Sequence, residues 1–426
     1  MRITIRPKKI CTVLIASYLI NSFYFVQGVA LQKHFVWGCV FLYLLLNINS
    51  IISLVKKYLF KLPYKQLPFL MILLWGILIL LTPVFHGTGD FSYFSVFISI
   101  IASVASFFVI LVRIGKSGKC STTLEEFMRV YIFAMALYVC STVFALLVPS
   151  YRNFIINNID MTPHAKRMIE MEMNYTRIGF AGLSVFNSGM KCAVANAFSL
   201  FFIYKDIKNM NKVKGRHVIL FLVTLLGEFF YARTAVLATI ACIIVFIWFL
   251  IYKIQALNQF IKYVMLGLLA MALLVVFVNN YTGDNESIKW TFELFKSLMN
   301  GKGLSSTTLT IMNRMNFTPS FSTMLLGDGY YVNAYGGYYM NTDLGYLRAI
   351  LYYGVPGLVF ASCVVLSMSR SIAKVGSSSE FSLIRWFFLI IYVIFEIKGE
   401  ALGVLIPILF IVYFATTSSP YDNYSE

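Results

Sequence analysis

Apolar segments long enough to cross a lipid bilayer follow one another along most of the chain, and this pattern constrains the fold more than any other feature. A helix of about 20 residues, rising 1.5 Å per residue, spans a hydrocarbon core of about 30 Å. The sequence therefore predicts an all-α, polytopic membrane protein, a single integral membrane domain over residues 1–426. The predicted transmembrane helices, about twelve in all, are residues 10–30, 35–55, 67–85, 91–112, 127–149, 179–204, 218–232, 234–252, 263–280, 344–368, 383–397 and 401–417.

The charge content argues against a soluble domain. Of the 426 residues, 59% are hydrophobic and only 12% are charged, which is too little charge for the surface of a soluble protein of this size. Residues 10–30 are also not a good signal peptide, because the apolar run is too long and no small-residue cleavage site leads into a soluble segment.

The positions of the basic residues predict the orientation in the membrane. The net charge of +17 is concentrated next to alternate span ends, for example at Lys8, Lys9, Lys56 and Lys57, whereas the short turn at 86–90 has no basic residue. Basic loops stay on the cytosolic side, so both termini are predicted to be cytosolic. The excess charge then faces anionic lipid rather than nucleic acid. Two long loops are predicted on the periplasmic side, residues 150–178 and 281–343, and loops this long between spans are usually functional or disordered.

No metal or cofactor is expected. The seven cysteines show no paired spacing, so a disulfide framework is not predicted either. The sequence has no metalloprotease, phosphate-loop or dinucleotide-binding motif in a suitable context, and no paired aspartates that would hold a metal–nucleotide complex.

Isolated basic residues on the predicted outer face are the first candidates for a binding site. Guanidinium groups stay charged and pair bidentately with phosphate oxygens, so this set suggests an anionic ligand of phosphate type. The alternative is that they are plain anchors at the membrane interface. The candidates are Arg177, Arg233, Arg314, Arg348 and Lys398.

Three further polar residues lie near these cations. Asp343 precedes a predicted helix and is either a catalytic carboxylate or a residue favoured by the helix dipole. Asn187 follows Arg177 by ten residues. Lys191 lies about 20 Å deeper than Arg177 if the segment between them is helical, and it either snorkels, pairs with a neighbouring helix or marks a transport path.

Two short hairpins carry charged tips, one with Glu228 and Arg233 and the other with Glu396, Lys398 and Glu400. Their arms are at or below the length of a full crossing, so the tips either lie below the outer headgroups or form ordinary surface turns.

A tyrosine-rich loop directly precedes one predicted span. Tyrosine rings offer flat faces and hydroxyl groups suited to sugars, although tyrosines also line any bilayer interface. With the arginines, they suggest a lipid-linked, phosphate-bearing, carbohydrate-like substrate on the outer leaflet. The candidates Tyr330 and Tyr331 belong to this group, whose other members are Tyr335, Tyr338 and Tyr339.

Four segments resemble the Wzy family of O-antigen and capsular repeat-unit polymerases, a group related to the O-antigen ligases. The first segment is an Arg-x-x-Gly stretch with a downstream Asn, and the second is an arginine at the start of a span. The third is a series of Gly-x-Gly, Asp-x-Gly-Tyr and Gly-x-x-Gly, and the fourth is a turn that contains a lysine. The segments read RIGFAGLSVFNSG, YARTAVLA, LLGDGYYVN followed by NTDLGYLRAILYYGVPGLV, and FEIKGEALG.

The resemblance implies a metal-independent membrane glycosyltransferase of the bacterial inner membrane. Such an enzyme transfers a growing glycan from undecaprenyl pyrophosphate to the non-reducing end of a new lipid-linked repeat unit, at the periplasmic face. It implies that Arg177, Arg233 and Arg314 contact pyrophosphate and glycan, and that Asp343 is a candidate base. Implied partners are the lipid-linked oligosaccharide, membrane lipids, and a chain-length regulator and flippase of the same pathway.

Two other functions remain open at this point. An O-antigen ligase is less favoured, because ligases typically carry a histidine in the long outer loop and residues 281–343 contain none. A flippase for lipid-linked sugar is favoured mainly by Lys191, but transporters usually place polar residues at mid-depth in symmetric halves.

Overall fold

The computed structural model describes residues 7–22, 24–26, 33–52, 67–115, 123–161, 163–170, 177–183, 185–251, 258–267, 269, 313–334, 336–376 and 379–417. Helices account for most of these residues. Five of the described helices are long and apolar enough to cross a membrane, which agrees with the predicted all-α membrane class. They are Leu67–Phe85, Ser92–Gly115, Leu124–Leu147, Arg233–Leu250 and Gly345–Ala373.

The helices of the first half are α1 (Pro7–Asn21), α2 (Lys33–Leu46), α3 (Leu67–Phe85), α4 (Ser92–Gly115), α5 (Thr123–Leu147), α6 (Pro149–Asn158) and α7 (Pro163–Glu170). Strands β1 (Ile178–Gly179) and β2 (Gly182–Leu183) follow. The remaining helices are α8 (Phe186–Met210), α9 (Gly215–Tyr231), α10 (Arg233–Leu250), α11 (Phe321–Leu326), α12 (Gly345–Gly376), α13 (Ser379–Lys398) and α14 (Leu402–Thr417).

Most predicted span boundaries agree with these helices to within a few residues, and α3 coincides with the predicted 67–85. The larger differences are at α1, which ends at Asn21 rather than at 30, at α12, which ends at Gly376 rather than at 368, and at α8, which begins at Phe186 rather than at 179. The intervening residues form an antiparallel hairpin that pairs Ile178 with Leu183, and Gly182, with φ of 84°, allows its tight turn. Most of the predicted span 263–280 and residues 281–312 of the predicted loop 281–343 lie outside the described residues.

Helix α8 is the centre of the bundle. Nearly every side chain from Gly189 to Ile207 is buried, because α5, α9, α10 and α13 all pack around this helix. A helix that is apolar on all sides is stable only when other helices cover it completely.

The two ends of the bundle differ in chemistry. At the end where α1 and α5 begin, ion pairs join neighbouring helices, including Lys9 to Glu126 at 2.6 Å and Lys208 to Glu380 at 3.2 Å. The basic residues at this end are the ones on which the predicted cytosolic side rests. The opposite end, where α8 and α12 begin and α13 finishes, carries most of the residues predicted to bind substrate.

Helix α12 is interrupted at Gly354, which has φ of 76° and ψ of 176°. The break frees carbonyl groups one turn earlier, and the preceding loop satisfies them. The N–H of Asp328 donates to the Leu351 carbonyl at 2.6 Å, and the N–H of Gly329 donates to Tyr352 at 3.2 Å. A Cβ on Gly354 would lie 2.5 Å from the carbonyl oxygen of Leu325, so the loop and the helix meet backbone to backbone.

This contact explains the glycines of the loop-to-helix motif as packing features. Gly327 has φ of 77°, and a Cβ there would lie 2.4 Å from the Tyr352 carbonyl oxygen. The break in α12 lies two residues before Pro356. The described contacts of Gly327 and Gly354 are those of close backbone packing.

Candidate functional site

Three chain segments converge at the end of the bundle where α12 begins. A Cβ on Gly345, the first residue of α12, would lie 2.3 Å from the carbonyl oxygen of Gly399, in the turn after α13. A Cβ on Gly399 would in turn lie 2.9 Å from the ring of Phe186, at the start of α8. Such close approaches are possible only for glycine, and they bring the charged residues next to these glycines within a small volume.

Arg348 is the centre of the resulting polar cluster. It projects from the first turn of α12 and is only 8% exposed. Its guanidinium carbon lies 4.2 Å from the ring centre of Tyr331 and 4.0 Å from that of Tyr338. Its Nη1 is 3.8 Å from Glu400 Oε2, which also accepts a hydrogen bond from the Tyr331 hydroxyl. The cation is therefore held by two aromatic faces and one carboxylate.

Asp90, in the short turn between α3 and α4, positions the tyrosine loop. Its Oδ2 accepts hydrogen bonds from the N–H groups of Tyr331 at 2.7 Å and Val332 at 2.9 Å. Partial burial disfavours the carboxylate, but hydrogen bonds from Ser92, Val332 and Tyr331 outweigh it and lower the pKa of Asp90. The Tyr331 ring also stacks on Tyr93, with ring centres 4.6 Å apart. Burial and then the charge of Glu400 raise the pKa of Tyr331, so its hydroxyl stays a donor.

Asp343 and Lys398 form an ion pair at the edge of this cluster. The Lys398 Nζ is 2.8 Å from Asp343 Oδ2, and the two side chains are 18% and 33% exposed. The other oxygen, Oδ1 of Asp343, is buried without a hydrogen-bond partner. The same holds for Oε1 of Glu400, Oε1 of Glu396 and Nε of Arg348. Buried polar atoms are usually satisfied, so this concentration of open acceptors and donors indicates a place where a polar ligand or solvent binds.

Arg177 and Arg233 form a second pair of cations at the same end. Arg177 lies at the end of the predicted loop 150–178, is 8% exposed and donates from Nε to the Phe230 carbonyl at 3.3 Å. Burial, and then the nearby positive charge of Arg233, lower the pKa of Arg177 to about 10. Arg233 is the first residue of α10. The two guanidinium groups therefore lie close enough to repel each other.

The start of α8 lies beside this arginine pair. A Cβ on Gly189 would be 2.5 Å from the Cβ of Ala232, the residue that precedes Arg233. Asn187, two residues before Gly189, is exposed at the first turn of α8. The packing thus brings Asn187, Arg177 and Arg233 to one side of the bundle end.

Lys191 does not lie deep in the bundle. The helical geometry assumed between Arg177 and Lys191 is wrong, because the β hairpin separates them and Lys191 is only in the second turn of α8. Its Nζ donates to the Ile20 carbonyl, at the last turn of α1, at 2.7 Å. The predicted pairing with a neighbouring helix is therefore what the geometry supports.

Tyr330 and Arg314 lie on the exposed side of the cluster. Tyr330 is 40% exposed and stacks on Tyr339 with ring centres 5.2 Å apart, while the Tyr339 hydroxyl donates to Asp328 at 3.4 Å. Arg314 is exposed in a short helical turn. The neighbouring Asn316 accepts a hydrogen bond from the Tyr346 hydroxyl at 2.9 Å, which holds this turn against the start of α12.

Two carboxylates of the short hairpins are buried rather than surface groups. Glu228 is fully buried in the last turn of α9, where its Oε1 accepts hydrogen bonds from Asn196 at 2.7 Å and Thr239 at 2.6 Å. Glu396 is 5% exposed, and its Oε2 accepts from the Ala401 N–H at 2.9 Å. The Glu228 bonds join α9 to α8 and α10, and the Glu396 bond closes the turn between α13 and α14.

No family model matches this chain, and no curated protein or solved structure is significantly similar to it. Among the described residues, no group of three or more histidine, cysteine or acidic side chains is arranged to hold a metal ion. What the site can do therefore has to be inferred from its geometry and from its residues.

The sequence identified the cations of the site and two of their partners, Asp343 and Tyr331, but not the residues that hold Tyr331 in place. Asp90, Tyr93 and Glu400 were not among the candidates, although each contacts Tyr331. Asp90 resembles an ordinary helix cap, since its Oδ1 also accepts a hydrogen bond from the Ser92 N–H at the start of α4. Glu400 had a detectable signal, because it lies in the charged tip of a short hairpin.

Proposed function

We propose that this protein polymerises O-antigen or a related surface polysaccharide. It transfers the growing glycan from undecaprenyl pyrophosphate to the non-reducing end of a new lipid-linked repeat unit, at the periplasmic face of the bacterial inner membrane. In this proposal the chain crosses the membrane about twelve times, both termini are cytosolic, and the loop 281–343 is periplasmic. The observation that best supports it is the gathering of Arg348, the Arg177–Arg233 pair and the tyrosine loop at one end of the bundle.

The arginine pair is the proposed site for the leaving group. When the glycosidic carbon of the donor separates from its phosphate oxygen, a diphosphate with growing negative charge departs. Arg177 and Arg233 stabilise that charge without a metal ion, because guanidinium groups are permanent cations that pair bidentately with phosphate oxygens. Arg314, exposed near the start of α12, is placed to contact the more distant phosphate or the first sugar.

A carboxylate is needed to accept the proton of the attacking hydroxyl. Asp343 and Glu400 each have one oxygen without a partner. The other oxygen of Asp343 pairs with Lys398, and the other oxygen of Glu400 contacts Arg348 and Tyr331. A base held in this way is oriented before the substrate binds. The Asp343 side chain is 33% exposed and that of Glu400 is 12% exposed, but the oxygen without a partner is buried in both, so the acceptor hydroxyl must enter the cluster to reach it.

The tyrosine loop is the proposed platform for the acceptor glycan. Tyr330 is 40% exposed and stacks on Tyr339, and Tyr338 is 49% exposed and packs against the Arg348 guanidinium. Rings held from behind present flat faces on which sugar rings pack at little cost in side-chain entropy.

A transporter is the less favoured alternative on the described contacts. The residue that argued for transport, Lys191, donates to the end of α1 rather than lining a mid-depth site. A ligase would use the same leaving-group chemistry, so only its product separates it from a polymerase.

A deletion strain complemented with variants tests the proposal. Loss of a polymerase leaves lipopolysaccharide core capped with single repeat units, whereas loss of a ligase leaves bare core and accumulated lipid-linked polymer. Loss of a flippase leaves neither product at the outer face. We expect the single-unit pattern, and either of the other two patterns would contradict polymerisation.

Arginine variants then test the site. Arg177→Ala and Arg233→Ala are expected to remove the polysaccharide ladder while the protein remains in the membrane, since losing one transition-state donor costs about 3 kcal/mol, or a hundredfold in rate. Arg385→Ala, a half-buried arginine near the beginning of α13 at the opposite end, is the matched control and should leave the ladder intact. A normal ladder from both Arg177→Ala and Arg233→Ala would rule out this leaving-group site.

A further inference from the structure

A cleft opens on the side of the bundle between α1, α5 and α9, at the end away from the candidate active site. It encloses about 730 Å³. Its walls are apolar and include Leu14, Phe133 and Leu137, whose exposed fractions are 54%, 48% and 40%. Apolar side chains this exposed on a membrane helix contact lipid chains.

One end of the cleft is strongly basic. Lys8, Lys9, Arg129 and Arg216 line it together with one acidic residue among its described lining, Glu126. We call the cleft with this charged mouth the basic groove.

Two of the four cations already have acidic partners. Lys9 Nζ lies 2.6 Å from Glu126, and Arg129 Nη2 lies 3.3 Å from Glu125. In the described part of the chain, Lys8 and Arg216 are exposed and form no ion pair with a carboxylate. The mouth therefore retains positive charge that an anion can neutralise.

The length of the groove matches one leaflet. Arg129 at the mouth and Cys140 at the far end lie eleven residues apart on α5, which is about 17 Å along the helix axis. One leaflet contributes about 15 Å, half of a hydrocarbon core of about 30 Å. An ordinary acyl chain fits this depth, whereas a polyprenyl chain long enough to exceed a leaflet would extend out of the groove.

We propose that the basic groove binds one anionic glycerophospholipid from the leaflet on the side of the N-terminus. Its phosphate lies between Lys8 and Arg216, and one acyl chain runs along Leu14, Phe133 and Leu137 towards Cys140. The bound lipid fills the space between α1 and α9 on the surface of α5. This site is separate from the glycan chemistry and does not depend on it.

Native mass spectrometry of the delipidated full-length protein tests the proposal, with phosphatidylglycerol and phosphatidylcholine of identical acyl chains as probes. We expect one tightly held phosphatidylglycerol. A basic residue near an anionic lipid surface is worth about fivefold in affinity, so Lys8→Gln combined with Arg216→Gln should weaken that binding by roughly 25-fold. Lys212→Gln combined with Arg370→Gln removes two exposed cations that do not line the groove and should leave binding unchanged.

A second variant tests the apolar part without removing charge. Cys140 is exposed at the far end of the groove, so Cys140→Trp shortens the groove with little disturbance of the core. It should weaken dipalmitoyl phosphatidylglycerol more than the dihexanoyl form. Equal affinity for phosphatidylglycerol and phosphatidylcholine, or unchanged affinity in the Lys8/Arg216 variant, would reduce the groove to a surface for bulk lipid. Tighter binding of a polyprenyl phosphate than of phosphatidylglycerol would overturn the assignment in favour of a substrate lipid.

Discussion

The coupling between Arg348 and Glu400 is a measurable consequence of the buried cluster. The pair is separated by 3.8 Å, and its side chains are only 9% and 12% exposed. With an effective dielectric constant of about 20, two unit charges at this distance attract by about 4 kcal/mol. Removing one partner also leaves the other charge buried without compensation, which typically costs 3–5 kcal/mol.

A double-mutant cycle isolates this interaction. Arg348→Met and Glu400→Gln are each expected to lower the free energy of unfolding in detergent by about 3 kcal/mol, because each leaves one uncompensated charge. The double variant should lose less than the sum, giving a coupling energy of about 2–4 kcal/mol. Arg348→Lys keeps the charge but loses the planar contact with Tyr331 and Tyr338, so it should recover only part of the stability.

The free energy of unfolding is measured by titrating the detergent-solubilised protein with urea and recording its helical content by circular dichroism. The loss of helix is analysed as one reversible transition. Glu380→Gln is the matched control, because it breaks the exposed pair with Lys208 at the opposite end and should change stability by less than 1 kcal/mol. A coupling energy below about 0.5 kcal/mol between Arg348 and Glu400 would refute the description of the cluster as a buried charge pair.

Three other predictions follow from the same geometry. Gly354→Ala should destabilise the protein by more than about 2 kcal/mol in the same unfolding assay, since φ of 76° and a backbone oxygen 2.5 Å from the new Cβ both oppose it. The control Gly38→Ala lies inside helix α2 and its Cβ meets nothing within 4 Å, so it should leave stability unchanged or raise it by up to about 1 kcal/mol. Asp343→Asn should abolish polymerisation in the ladder assay if this carboxylate is the base, and an active amide variant would leave Asp343 only its ion pair with Lys398. Asp90→Asn should speed hydrogen exchange of the Tyr331 amide. The pKa of Asp90 is lower in the folded protein than its ordinary value of 3.8. The stability that the Asp90 carboxylate gives the folded protein should therefore persist from neutral pH down to 3.8, and it should be lost as the pH falls through the folded pKa. A loss of this stability between about pH 7 and 5 would contradict the prediction.

The positions of several apolar helices were predictable because hydropathy is a local property of the chain. Helix α3 occupies the predicted residues 67–85. The ends of α13 and α14 lie within a few residues of the predicted ends. The start of α8 was not predictable in the same way, because the hairpin at 178–183 is itself apolar and its strand character comes from pairing Ile178 with Leu183.

The cations of the candidate site were also visible in the sequence. Basic residues are concentrated at cytosolic span ends, so a basic residue at a predicted outer span end stands out. Contacts between distant parts of the chain were not visible. Asp90 and Tyr331 are 241 residues apart, and Lys191 and Ile20 are 171 apart. Nothing in either local sequence specifies such a contact.

The sequence by itself determined that this chain is helical, apolar and asymmetric in charge, because those properties depend on composition and on spacing along the chain. Only the tertiary structure decided that Arg348 is enclosed by Tyr331, Tyr338 and Glu400, and that Lys191 binds the end of α1. The physical reason is that a buried charge is stable only next to a compensating group, and which groups become neighbours depends on how the helices pack.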